Sequence, residues 1–153
     1  MTRLCPSGYG AALSFDDRVQ AVATMGFTER QARFLTIVML HAGVCVPRQY
    51  ARFCGIVHGA KTRKFFAKLV RLGLASSYDC RHNRAQIYHV NGRALYAAIG
   101  EADNRLRKAV TLNHAIQRLM VLDALVEDPD LVWLGTAEEK SVHLTMLTRI
   151  DPK

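Results

Sequence analysis

The stretch PRQYARFCGIVHGAKTRKFFAKLVRLGLASSYDCRHNRAQIYHV, residues 47–90, decides the fold. Pro47 suits the first position of a helix, where its missing N–H would have had no partner in any case. Tyr50, Phe53 and Cys54 fall at i, i+3 and i+4 on one face, and Gly55 ends that helix. A second, basic helix is predicted around Lys61 to Gly73. Phe65, Phe66, Leu69, Val70 and Leu72 form its wide apolar face, while Ala60, Lys61, Arg63, Lys64, Lys68 and Arg71 occupy the rest. No carboxylate interrupts this set, although Glu–Lys pairs at i, i+4 stabilise ordinary surface helices by about 0.2–0.5 kcal/mol each. Their absence costs stability and points to an anionic partner rather than a merely solvated face. Residues 74–78 and 86–90 then read as strands, from the β-branched Ile87 and Val90 and the aromatic Tyr78 and Tyr88. The polar turn between them has Asn83 as a residue suited to positive φ and carries Arg81, His82 and Arg84 at its tip.

Upstream, Pro and Gly among small residues imply a loosely ordered N-terminus over 1–13. Ser14 with Asp17 resembles a capping box and predicts a first helix ending before Gly26, and Thr28 with Gln31 predicts a second. Phe34, Leu35, Ile37, Val38, Met39, Leu40 and Ala42 crowd apolar residues around most of that second helix, which makes it the buried spine. His41 near its end reads as a cation at a helix C-terminus. Val44 to Val46 form a short extended segment, long enough for a small edge strand.

Downstream, Asn91 is the expected cap of a helix that carries Leu95, Tyr96, Ala98 and Ile99 and stops at Gly100. EADNRLRK, residues 101–108, is a charged connector and the best boundary candidate. Leu112, Ile116, Leu119, Met120, Leu122, Leu125 and Val126 keep helical spacing until Pro129 forbids continuation. That helix is too apolar to stand alone. Thr136 with Glu139 opens a last helix with Val142, Leu144, Met146 and Leu147.

The chain has 153 residues, is 50% hydrophobic and carries a formal net charge of +8, enough apolar material for a real core. The charge is segregated: Arg48 to Arg93 hold ten basic residues against the single acidic Asp79, and the remainder holds eleven basic against twelve acidic. Solubility does not require such segregation, whereas a polyanion-binding surface does. Cys5, Cys45, Cys54 and Cys80 form no CxxC pair and read as reduced thiols; the only close metal-ligand pair is Cys80 with His82. No signal peptide is expected, no run approaches eighteen apolar residues, and a cytoplasmic location without a membrane partner follows as the expectation. The sequence lacks a phosphate-cradling glycine loop, GxSxG and HExxH, and its six histidines are scattered singly. Neither catalysis nor a cofactor is expected.

TERQARFLTIVMLHAG, PRQYARFCGI, KTRKFFAKLVRLGLA and the hairpin after them resemble bacterial winged helix-turn-helix proteins. The likeness is to MarR-like regulators in general and, more closely, to replication-relaxation proteins of plasmids and integrative elements. It covers roughly residues 27–99, and its most specific piece is LVRLGLA. The resemblance implies a winged helix-turn-helix, a mainly α fold with a small β-hairpin, and the residue patterns on either side of it add extra N- and C-terminal helices. Residues 1–13 would be the flexible N-terminus, 14–100 the winged domain with its leading helix, and 101–153 a helical extension.

By that resemblance the first half of the basic helix enters the major groove, with Ala60, Lys61, Arg63 and Lys64 near base edges and His58, Gly59 and Thr62 close to the backbone. Arg63 is the foremost candidate for direct readout of guanine. Arg48, Arg52, Lys68 and Arg71 would position the protein on phosphates, and Arg81 and Arg84 would reach over the adjacent groove. The expected function is binding of double-stranded DNA, as a transcriptional regulator or a replication or transfer accessory of a bacterial mobile element. A winged-helix protein–protein interaction module is the alternative. The apolar C-terminal helices would form a homodimer interface or fold back to complete a monomer's core. Whether a small-molecule effector binds is left open by the sequence.

Overall fold

The computed structural model describes residues 13–79, 85–128 and 134–148. The N-terminal stretch expected to be loosely ordered lies outside them but for Leu13, as does the hairpin tip with Arg81 and Arg84. Among the described residues the fold is mainly helical, with seven α-helices, one 3-10 turn and a three-stranded antiparallel sheet.

Three helices begin where short-range hydrogen bonds place them. Before α1 (Phe15–Ala23), the Ser14 hydroxyl accepts from the Asp17 amide at 3.1 Å and the Asp17 carboxylate reaches back. Thr28 and Gln31 do the same for α2 (Glu29–His41), and Thr136 and Glu139 for the helix Ala137–Thr148. Helix α2 is the spine, with Phe34, Leu35, Val38 and Met39 wholly buried. It leads into β1 (Val44–Cys45), the short edge strand anticipated there, and then α3 (Pro47–Cys54), which closes on Gly55 at φ 64°. Helix α4 (Ala60–Arg71) follows, then β2 (Ala75–Asp79) and β3 (Gln86–Val90). The strand order is β1-β3-β2, with Val44 opposite His89 and Ser77 opposite Tyr88.

Aromatic rings join the layers. Phe34 of α2 meets Tyr50 of α3 at 5.2 Å between centroids, Tyr50 stacks on Phe65 of α4 at 4.3 Å, and Phe66 lies 4.4 Å from Tyr88 of β3. Such pairs contribute about 0.5–1.5 kcal/mol beyond the area they bury. This chain of contacts fixes how α4 sits against the body.

Three local expectations need correction. Strand β2 starts one residue late because Leu74 is occupied in ending α4: its N–H donates to Leu69 at 2.9 Å and its carbonyl accepts from Asn91 and Gly92. Gly92, rather than Asn91, caps α5 (Arg93–Ala98), since the Asn91 amide donates to Ser76 at 3.0 Å. A Cβ on Gly92 would stand 2.8 Å from the Leu74 backbone, so only glycine fits there. The charged connector contains a 3-10 turn, Arg105–Arg107, that buries Leu106 and bonds Arg107 to the Asn91 and Ala102 carbonyls. His41 is half-buried, and burial pushes its imidazole below its ordinary range, with Glu139 opposing and Lys140 adding. It is therefore a poor cation for the helix end.

Helix α6 (Leu112–Glu127) packs against β1 and against Ile87 of β3. Along β3, Tyr88 and Val90 join the main core, while Ile87 packs with Val44 and Ala115 on the other side. Both faces of the strand are thus buried, and the C-terminal extension folds back onto the body through Ala115 and Leu122. The last helix, α7 (Ala137–Thr148), is attached mainly at its start. Arg18, 4% exposed, donates to the Ile99 carbonyl and pairs with Glu139 at 3.2 Å. Burial raises the Glu139 pKa, but bonds from Thr136 and Gly135 and the Arg18 charge outweigh it and leave the carboxyl below its usual range.

His89 links the sheet to the connector. Its Nε2 lies 2.7 Å from the Leu106 carbonyl, which can only accept, so Nε2 carries the proton and Nδ1 faces the Tyr78 hydroxyl at 3.4 Å. Burial pushes this imidazole below its ordinary 6.5, the Leu106 bond opposes, and Arg118 adds to the fall. Below 6.5 the unfolded chain therefore binds more protons than the folded one. The stability held by neutral His89 is complete above that pH and is lost as pH falls toward the depressed folded value. The urea midpoint is expected to drop between about pH 7 and pH 5, and less steeply in His89→Gln. A flat wild-type profile over that range would refute the assignment.

Candidate nucleic-acid interface

Helix α4 presents the basic surface. Thr62, Phe65, Phe66 and Leu69 are its buried residues. At 3.6 residues per turn the opposite arc is centred on Ala60, Ala67 and Arg71, with Lys61 and Lys64 to one side and Arg63 and Val70 to the other. Small side chains in the middle allow close approach, and charged ones flank them. Lys61, Arg63, Lys64 and Arg71 are exposed and form no ion pair or hydrogen bond among the described residues.

The start of α4 is also arranged for negative charge. Gly59 offers no side-chain cap, and the first turn contains no acidic residue. Its first amides are left without a protein side chain to accept from them, the condition under which helix N-termini take anions. Lys61 lies in that turn, where a positive charge opposes the helix dipole at a cost of a few tenths of a kcal/mol, on the order of the exposed-site effect.

The other site residues fall into four groups. Thr62, expected beside the DNA backbone, is fully buried with its hydroxyl lacking a hydrogen-bond partner among the described residues, so its side chain belongs to the core face. Lys68 is half-buried, donates to the Gly26 carbonyl and sits 4.6 Å over the Phe27 ring. Arg48 and Arg52 share one side of α3 as expected, but each faces a carboxylate of α6: Arg48 lies 3.4 Å from Asp123 and Arg52 2.6 Å from Glu127. Arg81 and Arg84 lie outside the described residues, and so does the Cys80–His82 pair.

One basic residue was missed by the sequence reading. Arg30, at the start of α2, lines a groove of about 650 Å³ together with Lys61, Lys64 and Lys68, and its guanidinium reaches the Cys54 carbonyl at 3.4 Å. The contact arises because Phe27 meets Phe65 edge-on at 6.3 Å, which draws the α2 start to α4. No local spacing signals that neighbour. Asp123 and Glu127 were missed too, although their i, i+4 spacing matches that of Arg48 and Arg52.

Burial raises the thiol pKa of Cys45 and of Cys54, and both are free thiols, which makes them poor nucleophiles. Among the described residues no helix is long and apolar enough to cross a membrane. No family model, curated protein or solved structure matches this chain.

Proposed function

We propose that this chain is a winged helix-turn-helix protein that binds double-stranded DNA. In this reading α3 and α4 form the helix-turn-helix, α4 enters the major groove, and the β2–β3 hairpin is the wing. The observation that carries it is the exposed arc of α4, where Lys61, Arg63, Lys64 and Arg71 meet no carboxylate among the described residues and the helix start has no side-chain cap. The order α2, β1, α3, α4, β2, β3 and the strand order β1-β3-β2 support the winged assignment. Arg63 is assigned to base readout, and Lys61, Lys64, Arg71, Arg81 and Arg84 to phosphates or the adjacent groove. The biological role proposed is that of a transcriptional regulator or a replication or transfer accessory of a bacterial mobile element, with no catalytic step.

A specific observation also favours self-association or another protein partner. From Thr111 to Ala124 the exposed residues of α6 include Leu112, Ile116, Met120 and Val121 and no Asp, Glu, Lys or Arg. On α7, Val142, Leu144, Met146 and Leu147 are each at least half exposed. Loss of charge from a surface is the compositional mark of an interface core. We take a homodimer as the arrangement, and an assembly module without DNA as the competing reading.

One pair of measurements separates these. Titrated with duplex at increasing salt, the protein should lose affinity with a log–log slope near −5 if about six phosphates are neutralised. Light scattering on the free protein should give twice the chain mass. No duplex binding at low salt would sink the DNA reading, and a monomer at micromolar concentration would remove the dimer.

A further inference from the structure

We propose that α6 acts as an electrostatic mask on α3, occupying two arginines that would otherwise add to the DNA-binding surface; this rests on the DNA-binding reading above. Arg48 and Arg52 stand one turn apart on α3, and Asp123 and Glu127 stand one turn apart on α6. The two pairs meet in register. Arg48 approaches Asp123 through both terminal nitrogens, each at 3.4 Å, and Arg52 meets Glu127 at 2.6 Å.

These ion pairs are not what holds the helices together. Gln49, 1% exposed, donates to the Leu119 carbonyl and to Asp123, each at 3.0 Å, and accepts from the Val46 amide. Around it Ala115 and Leu119 of α6 pack on Val44, Val46 and Ile87. Docking therefore persists when the arginines let go. Their side chains are 64% and 58% exposed, and ion pairs in that setting are weak and screened by salt. A phosphate backbone, with its dense negative charge, competes well for such guanidinium groups.

The carboxylates have no other basic partner among the described residues. Residues 47–78 contain no acidic side chain of their own, so Asp123 and Glu127 bring to α3 the negative charge that its own stretch excludes. While they face the arginines, two phosphate contacts are withheld. When DNA draws the arginines away, the carboxylates remain near the backbone and repel it. Both effects lower affinity and flatten its salt dependence, and any event that neutralises or turns away this edge of α6 would release them.

The test is duplex titration of the full chain between 50 and 200 mM salt. Asp123→Asn/Glu127→Gln keeps an acceptor for Gln49 and removes two charges. It is expected to steepen the log–log slope by about 2 and to bind on the order of tenfold more tightly at 50 mM than the wild type, the advantage shrinking by 200 mM. A charge-matched control, Asp103→Asn/Glu138→Gln, alters two exposed carboxylates with no ion pair among the described residues and should gain far less. In an Arg48→Ala/Arg52→Ala background the Asp123/Glu127 change should no longer steepen the slope by about 2 and should keep only the smaller part of the gain that comes from relieving repulsion. An equal gain in the control, persistence of the full gain without the arginines, or wild-type binding that the double variant does not improve overturns the mask and leaves the DNA reading standing. Absence of duplex binding by wild type and double variant alike overturns the DNA reading itself. A thermal melt of each variant shows that the fold is retained, and the single variants Asp123→Asn and Glu127→Gln serve should the double variant unfold.

Discussion

Replacing Lys61, Arg63 and Lys64 together by alanine is expected to weaken duplex binding on the order of a thousandfold while leaving thermal stability unchanged or slightly higher. The two halves of this result come from one fact: the three side chains are exposed and form no hydrogen bond or ion pair among the described residues. Removing them leaves no buried group unpaired, alanine is the best helix former, and the first turn loses a charge that opposed its dipole. The binding loss sums an Arg63 base contact of about 1–3 kcal/mol and two phosphate contacts that also flatten the salt slope by about one each. Arg63→Ala alone should relax sequence preference, whereas Lys64→Ala should weaken all duplexes alike. Unchanged affinity in the triple variant, with the fold intact, would remove α4 as the binding surface.

Phe65→Ala is expected to cost about 3–5 kcal/mol of unfolding free energy, the range for emptying an aromatic site in a packed core. Phe65 is 2% exposed and touches three other rings: Tyr50 stacked at 4.3 Å, Phe66 at 5.1 Å and Phe27 edge-on at 6.3 Å. Those rings belong to α3, to α4 and to the segment before α2, so the loss loosens the setting of α4 against two neighbours at once. Urea unfolding followed by fluorescence and circular dichroism gives the number. A loss under about 1 kcal/mol would mean that the site collapses without consequence and that the aromatic chain does not orient α4.

The features legible in the sequence were those whose causes lie within a few residues. Capping boxes at Ser14, Thr28 and Thr136 are bonds across three positions, and each marked its helix start. Gly55, Gly73 and Gly100 ended their elements at positive φ, as punctuation would have it. Thr62 shows a signal that was present and overruled. It shares i, i+3, i+4 and i+7 spacing with Phe65, Phe66 and Leu69, the core stripe, yet resemblance put it beside the DNA backbone. Other features depend on partners far along the chain. The pairing of Arg48 with Asp123 spans 75 positions, and no helical period on α3 predicts what lies across from it. The burial of both faces of β3 likewise required knowing that α6 returns to the sheet. Of the two arrangements open to the C-terminal helices, folding back is seen for α6 through Ala115 and Leu122, while on α7 Val142, Leu144, Met146 and Leu147 stand exposed.

The return of α6 to the sheet ties together two parts that the sequence treats as separate. Its inner side, through Ala115, is seated on Ile87 at the stem of the hairpin, while its outer side is open along Leu112, Ile116 and Met120. The helix therefore has one side on the root of the β2–β3 hairpin and the other in solvent. Under the proposed function, a partner seated on the open side would bear on the hairpin's root through the same helix, so that holding a companion and setting the hairpin would be one act.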